Sequence, residues 1–347
     1  RALPKKAREV VEAWRAARAK GEAVTRVDFS KCELRFVPEE LNEVSGIREL
    51  VISGNRVRSL PRWLGSFKDI EILRAQDCGL KTVPKGVARL PRLRRLELKE
   101  NQITSLPSGG DVFARVEFLS IGGGFDIEPI AFTSGIDLAL FPNVRVVVQY
   151  YASTLSEFTY SDDADYWDNP HLEILQLDTT AAFEPRVPAG LIKARNLRAL
   201  AINLKQGQLA SAIELLPRLD KLSYLSAGYG DLGPADIEAL QQALPDVFIG
   251  VETISGKSEY EFPISEELRK VEGLINGSKW REALDALGAL RDPPRLRAPQ
   301  YPGDIASRWV RLVAGGRLIA MSSETDPGRV RAYAGETLAW ADGLLAH

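Results

Sequence analysis

The residues of this chain that could do chemistry are few, and their spacing suits none of the familiar reactions. Gly228-Tyr229-Gly230-Asp231-Leu232-Gly233 follows an apolar strand pattern, opens a helix at Pro234 and has Glu252 beyond the next strand. That is the outline of a dinucleotide site, in which glycines let a pyrophosphate reach a helix N-terminus and an acid holds a ribose. The 25-residue register described below runs straight through it, however, and the preceding segments share the layout without glycines, so no dinucleotide is expected. Gly122-Gly123-Gly124 lacks the Gly-Lys-Ser/Thr that a phosphate loop needs. With His171 and His347 the only histidines, there is no His-Glu-x-x-His zinc pair, no Cys–His pair and no Gly-x-Ser-x-Gly turn. The acidic run from Glu157 to Asp168 lacks the glycine and terminal glutamate of a calcium loop. The expectation is a chain that is not an enzyme and has no cofactor and no metal.

Composition points the same way. At 347 residues, 45% hydrophobic and 27% charged, the chain can bury a sizeable core. No stretch approaches the roughly 18 apolar residues of a membrane span, and a cytoplasmic protein is expected. The chain begins at Arg1 and Met321 is its only methionine, so this beginning leaves room for a removed leader. The net charge of -2 hides a segregation: residues 1–110 carry 23 Lys+Arg against 14 Asp+Glu, and residues 111–255 carry 9 against 20. Such a dipole can orient a charged partner.

What positions these residues is an internal repeat. The pattern apolar-x-x-apolar-x-apolar begins at Val24, Ile47, Ile70, Leu93, Val116, Val144, Leu172, Leu197, Leu222 and, degenerately, Val247. The first four intervals are all 23 residues, the next two 28 and the last three 25. Each unit offers one short strand that cannot bury its apolar side alone, so stacking of neighbours must supply the core. Three positions past each strand's last apolar residue stand Cys32, Asn55, Cys78 and Asn101. Leu60-Pro61-x-x-Leu64 and Val83-Pro84-x-x-Val87 mark the return turns.

These motifs, over about residues 24–251, resemble the leucine-rich-repeat family in its bacterial form. The resemblance implies an α/β solenoid of horseshoe type, with nine repeats and a terminal strand over 24–255. It also implies that Cys32 and Cys78 are buried turn residues. Two repeats apart at about 4.8 Å per strand, their backbones lie beyond disulfide reach. Ala7 to Lys20 places Val10, Val11, Trp14 and Ala17 on one helical face before Gly21, which predicts a cap helix within residues 1–23. This start resembles bacterial repeat proteins related to the Roco family, whose GTPase has no counterpart here. Helical segments at Ala210–Leu216 and Pro234–Leu244 are predicted in the later repeats.

Residues 256–347 lose the period and form the expected α-helical C-terminal annex, with helices at 265–276, 278–290, 304–321 and 327–345. Gly277 to Pro293 resembles a tetratricopeptide-type hairpin. Ubiquitin-ligase repeat effectors need a cysteine nucleophile in this region, and it has none.

In the resembled family, strand residues between the apolar positions face a concave surface where partners dock. In the second half those columns hold Phe118, Val146, Val148, Tyr150, Tyr151, Ile174, Tyr224 and Tyr229, an apolar and aromatic patch that, with Gln176 and Asp178, is expected to be exposed as a protein-binding surface. In the first half they are charged, with Arg74, Arg95 and Lys99 a secondary charged surface. The alternative partner is a nucleic acid held by this basic half. Acids at Glu71, Asp77, Glu97 and Glu100 argue against it, because phosphate binding wants a run of one sign.

Overall fold

In this computed structural model the described residues are 2–103, 105–122, 138–150, 167–178, 186–202, 204–222, 224–227, 232–245 and 247–250. They belong to two compact units, Arg1–Leu197 and Arg198–His347. The annex expected over 256–347 lies outside the described residues.

The first unit opens with helix α1 (Lys5–Ala19). Ala7, Val11 and Trp14 recur at i, i+4 and i+7 and are its buried residues, while Val10 is only half-buried. Gly21 takes φ +78°, a left-handed conformation that only glycine adopts without penalty, and the helix stops before it. Trp14 meets the first coil edge-on, 5.6 Å from Phe29.

Seven strands then follow in order: β1 (Arg26–Asp28), β2 (Glu49–Val51), β3 (Ile72–Arg74), β4 (Arg95–Lys99), β5 (Phe118–Gly122), β6 (Val146–Tyr150) and β7 (Ile174–Asp178). Each pairs in parallel with the next, and the register is that of the repeat, with Val27, Leu50, Leu73, Leu96, Leu119, Val147 and Leu175 side by side. All seven are at most 2% exposed. A lone strand of three to five residues cannot bury such side chains, so the core exists because the column stacks.

The return paths explain the prolines. Pro38, Pro61, Pro84 and Pro188 sit in extended backbone immediately before short helical turns: Glu39–Glu43, Arg62–Ser66, α2 (Lys85–Ala88) and Ala189–Lys193. Each turn points one residue of the motif inward, namely Leu41, Leu64, Val87 and Leu191. Neighbouring turns pack so closely that a Cβ on Gly65 would lie 2.7 Å from the Gly86 backbone.

The second unit repeats the plan with helices in its return paths. Strand β8 (Ala199–Ala201) pairs in parallel with β9 (Tyr224–Ser226), and β9 with β10 (Phe248–Gly250). Helix α3 (Leu209–Leu215) buries Ala212 and Leu215, and α4 (Pro234–Ala243) buries Leu240. Phe248, rather than Ile249, stands opposite Tyr224, so β10 sits one residue earlier than a 25-residue interval places it. Such a slip exchanges the faces of a strand, and the degenerate last repeat gave no second apolar position to reveal it.

Candidate binding surface

The repeat register puts equivalent residues of successive strands beside one another, so the concave columns become rows of contacting side chains. In the first four strands these rows are charged. Arg26 on β1 reaches Asp28 at 2.9 Å and Glu49 at 3.6 Å. Arg74 on β3 stands between Glu49 at 3.2 Å and Glu97 at 3.7 Å, and Arg95 on β4 bonds Glu97 at 2.5 Å. Gln76 also donates to Glu97. Glu49, Arg95 and Glu97 are 3–4% exposed, so Arg95 is not part of an exposed charged surface as expected, while the Arg74 and Lys99 side chains are 16% and 31% exposed. Desolvation is tolerable for these groups because each charge has an opposite one beside it.

Titration reflects this packing. Burial pushes the Glu49 carboxyl above its ordinary value even though Arg74 and Arg26 oppose it. For Asp28 burial pulls upward too, but the Ser30 hydroxyl and amide and Arg26 outweigh it and hold the carboxyl below its ordinary value. The Ser30 amide donates to Asp28 Oδ1 at 2.9 Å.

Beyond Arg95 the rows turn apolar. Phe118, Val146 and Val148 form a cluster with Ile174 packed against it, and they are only 9%, 7% and 6% exposed. This corrects the expected exposed patch at these three positions. In-register pairing sets Phe118 against Val146 and Val146 against Ile174, so neighbours cover each other's flanks, and the Arg95 guanidinium lies 3.9 Å from the Phe118 ring centroid. Ile174 is half-buried. The backbones of Tyr150 and Asp178 are paired, as are those of Val148 and Gln176. The side chains of Tyr150, Gln176, Asp178 and Tyr224 are not among those described, and Tyr151 and Tyr229 lie outside the described residues.

Of the dinucleotide outline, Gly228 to Asp231 lie outside the described residues, and the Gly233 amide at the start of α4 is taken by Asp236 Oδ2 at 2.9 Å. Among the described residues no three His, Cys, Asp or Glu side chains are grouped to hold a metal, and no helix is long and apolar enough to cross a membrane.

The turns leaving the strands decide the kind of repeat. Asn55 Oδ1 accepts the Leu34 amide at 2.8 Å, and its Nδ2 donates to the carbonyls of Phe29 and Ile52 at 2.8 and 2.7 Å. Asn101 repeats this with the Cys78 and Leu80 amides at 3.1 and 3.0 Å and the Ala75 and Leu98 carbonyls at 2.7 and 2.8 Å. Cys78 Sγ donates to the Ile52 and Gln76 carbonyls at 3.1 and 3.3 Å, in the same place one repeat between them. These are leucine-rich repeats. Both cysteines are buried and free.

The longer leucine-rich repeats use asparagines that the turn column did not reveal. Asn143, Asn169 and Asn196 donate to the carbonyls of Ala114, Phe141 and Pro170 at 2.7, 3.0 and 2.5 Å. Asn143 and Asn196 each directly precede the first apolar residue of a repeat, which is the signal that could have found them.

No family model matches the chain, and no curated relative does. Solved leucine-rich-repeat structures do. A leucine-rich-repeat protein of Leptospira interrogans is 15% identical over 69% of this chain and 70% of its own, with a TM-score of 0.38. Human 5T4 is 18% identical over 66% of this chain and 76% of its own, with a TM-score of 0.42. TLR13, solved in complex with ssRNA13, is 18% identical over 62% of this chain, with a TM-score of 0.45, and this chain spans 30% of that one.

Proposed function

We propose that this leucine-rich-repeat chain works by binding, that it docks a protein partner on its concave strand face as a scaffold, sensor or regulatory module, and that it has no catalytic activity of its own. The observation that carries the reading is the charge-matched row from Arg26 to Arg95 running directly into the apolar row from Phe118 to Ile174. A protein surface offers such a face both apolar anchors and hydrogen-bonding groups of both senses. A nucleic acid needs cations whose charge is still available, and Arg74 and Arg95 already face Glu49 and Glu97. The reachable contacts are Arg26, Asp28, Arg74, Lys99 and Ile174, with Tyr150, Gln176 and Asp178 continuing the same columns on β6 and β7.

A photo-cross-linking residue placed singly at Asp28, Ile174 or Lys68 tests this in extract of the native host, followed by reconstitution with the purified partner. Protein adducts at positions 28 and 174 and not at the outer position 68 support the reading. Adducts at 68 alone overturn the concave site. Reproducible turnover of nucleotide, peptide or ester substrates, abolished by a point change, would overturn the absence of catalysis.

A further inference from the structure

Two outward paths of the basic half are cationic over most of their length. Residues 50–68 contain Arg56, Arg58, Arg62 and Lys68 and no Asp or Glu; residues 78–96 contain six Lys or Arg and again no Asp or Glu. Those stretches make up most of the outward paths of the second and third repeats, through the strand-end turn and the short helical turn, with Asp69 and Glu71 closing the second path before β3 and Asp77 opening the third. Glu97 lies on a strand, Glu71 directly before one, and Asp77 and Glu100 in the turns just beyond strands. Within these two stretches the outer surface therefore carries one sign, with Asp69 at the end of the second path and Glu33, Glu39, Glu40 and Glu43 on the first repeat's path.

Several cations of these paths recur in register. Arg35, Arg58 and Lys81 hold the same position in successive repeats, and Arg62 and Lys85 share another four residues on. Backbone bonds from Arg56 N to Leu34 O at 2.8 Å and from Arg58 N to Cys78 O at 2.9 Å lock these paths side by side, so the charges step by about one strand spacing, ~5 Å per repeat. All six of Arg35, Arg56, Arg58, Arg62, Lys81 and Lys85 are exposed. Among the described residues no ion pair or side-chain hydrogen bond engages them, whereas Arg26, Arg74, Arg92, Arg94, Arg95 and Lys99 each face a carboxylate.

The geometry points to a second binding surface here, for the phosphodiester backbone of a single-stranded nucleic acid. Four of the six cations are arginines, whose forked donors match phosphate oxygens, and exposed Ser59, Ser66 and Thr82 supply hydroxyls between them, a mixture typical of backbone contacts. A membrane surface fits less well. Binding in the headgroup layer uses apolar anchors beside the cations, and the fully exposed residues of these two paths include no large apolar side chain; Trp63 and Phe67 are half-buried, 6.0 Å from each other.

The test is binding of labelled DNA and RNA strands of about 12 nucleotides to the full chain, beside phosphatidylserine vesicles and a polyglutamate peptide. If three or four phosphates are neutralised, log affinity falls with log salt with a slope of about -2 to -3. The double variant Arg58→Glu, Lys81→Glu should bind at least about tenfold more weakly, while Lys5→Glu, Lys6→Glu on α1, which changes net charge equally, should change affinity less than about twofold. Arg56→Gln with Lys85→Gln serves if the reversal does not fold. No oligonucleotide binding at about 50 mM salt, an equal loss in the α1 variant, or capture of vesicles or polyglutamate in place of the strand would each overturn the proposal. None of these outcomes bears on the concave face, whose cross-linking positions 28 and 174 lie on β1 and β7.

Discussion

The Arg95 guanidinium lies 3.9 Å from the centroid of the Phe118 ring, at the border where the charged row of the concave face becomes apolar. The same guanidinium bonds Glu97, so one side chain joins two kinds of surface. Burial, opposed by Glu97, pulls the Arg95 pKa down from its ordinary value, yet arginine stays protonated at any ordinary pH. Phe118→Leu keeps an apolar side chain and removes the ring quadrupole. It should lower unfolding free energy by about 1–2 kcal/mol through the lost cation–π contact and partial loss of packing. Chemical denaturation checks this, and an unchanged midpoint would mean that the ring contributes nothing beyond its area.

Asn101→Ala should be more severe than its size suggests. The side chain is 2% exposed and is bonded to two amides and two carbonyls, three of them in the turn leaving β3 and the fourth on β4. Leaving these groups buried without partners should cost about 3 kcal/mol or more, comparable with the about 2–5 kcal/mol expected for the core truncation Leu96→Ala. Differential scanning calorimetry of both variants makes the comparison. A loss below about 1 kcal/mol for Asn101→Ala would show that water replaces the ladder.

Asp28 and Glu49 should give opposite pH dependences. The lowered Asp28 value means that the folded state binds its proton less tightly than the unfolded state, so its contribution is present above the ordinary carboxylate range and is lost as pH falls through the lowered value. The raised Glu49 value has the reverse sign: its contribution favours folding at low pH and is lost as pH rises through the raised value. Asp28→Asn should therefore flatten the fall of Tm below about pH 4, and Glu49→Gln should remove a decline of Tm above that range. Melting curves across pH, compared with the parent chain, read both. Slopes changed in the same direction would contradict the arrangement.

Cys78 should be inert in the folded chain. Burial, aided by Asp77, pushes its thiol up to about 11 against the pull of the Asn55 and Gly54 backbone bonds, which leaves roughly one thiolate in a thousand at pH 8. Burial raises Cys32 as well. Alkylation followed by mass spectrometry should modify both cysteines quickly in denaturant; in the native state Cys78 should react more slowly on the order of 10²-fold, and Cys32 should also be slowed. Fast native labelling of Cys78 would show that the turn opens.

Much of this fold is legible in the residues themselves. A constant 23-residue interval forces Val27, Leu50, Leu73 and Leu96 into one column, because parallel strands paired in register leave no other arrangement that buries them all. The prolines before Leu64 and Val87, the turn asparagines and the helices near 210 and 234 follow from the same period. The period also names the neighbours of every concave residue, Arg74 between Glu49 and Glu97 among them. It does not say how deep they lie. Whether Phe118 is an exposed anchor or 9% exposed beneath Arg95 depends on side chains bending across strands, and a one-residue slip such as that of Phe248 leaves no mark in a degenerate repeat. The facing of Arg58 and Lys81 away from the strand acids Glu49 and Glu97 was likewise decided in three dimensions, because the winding of each repeat sends residues a few positions apart in the chain to opposite faces of the coil.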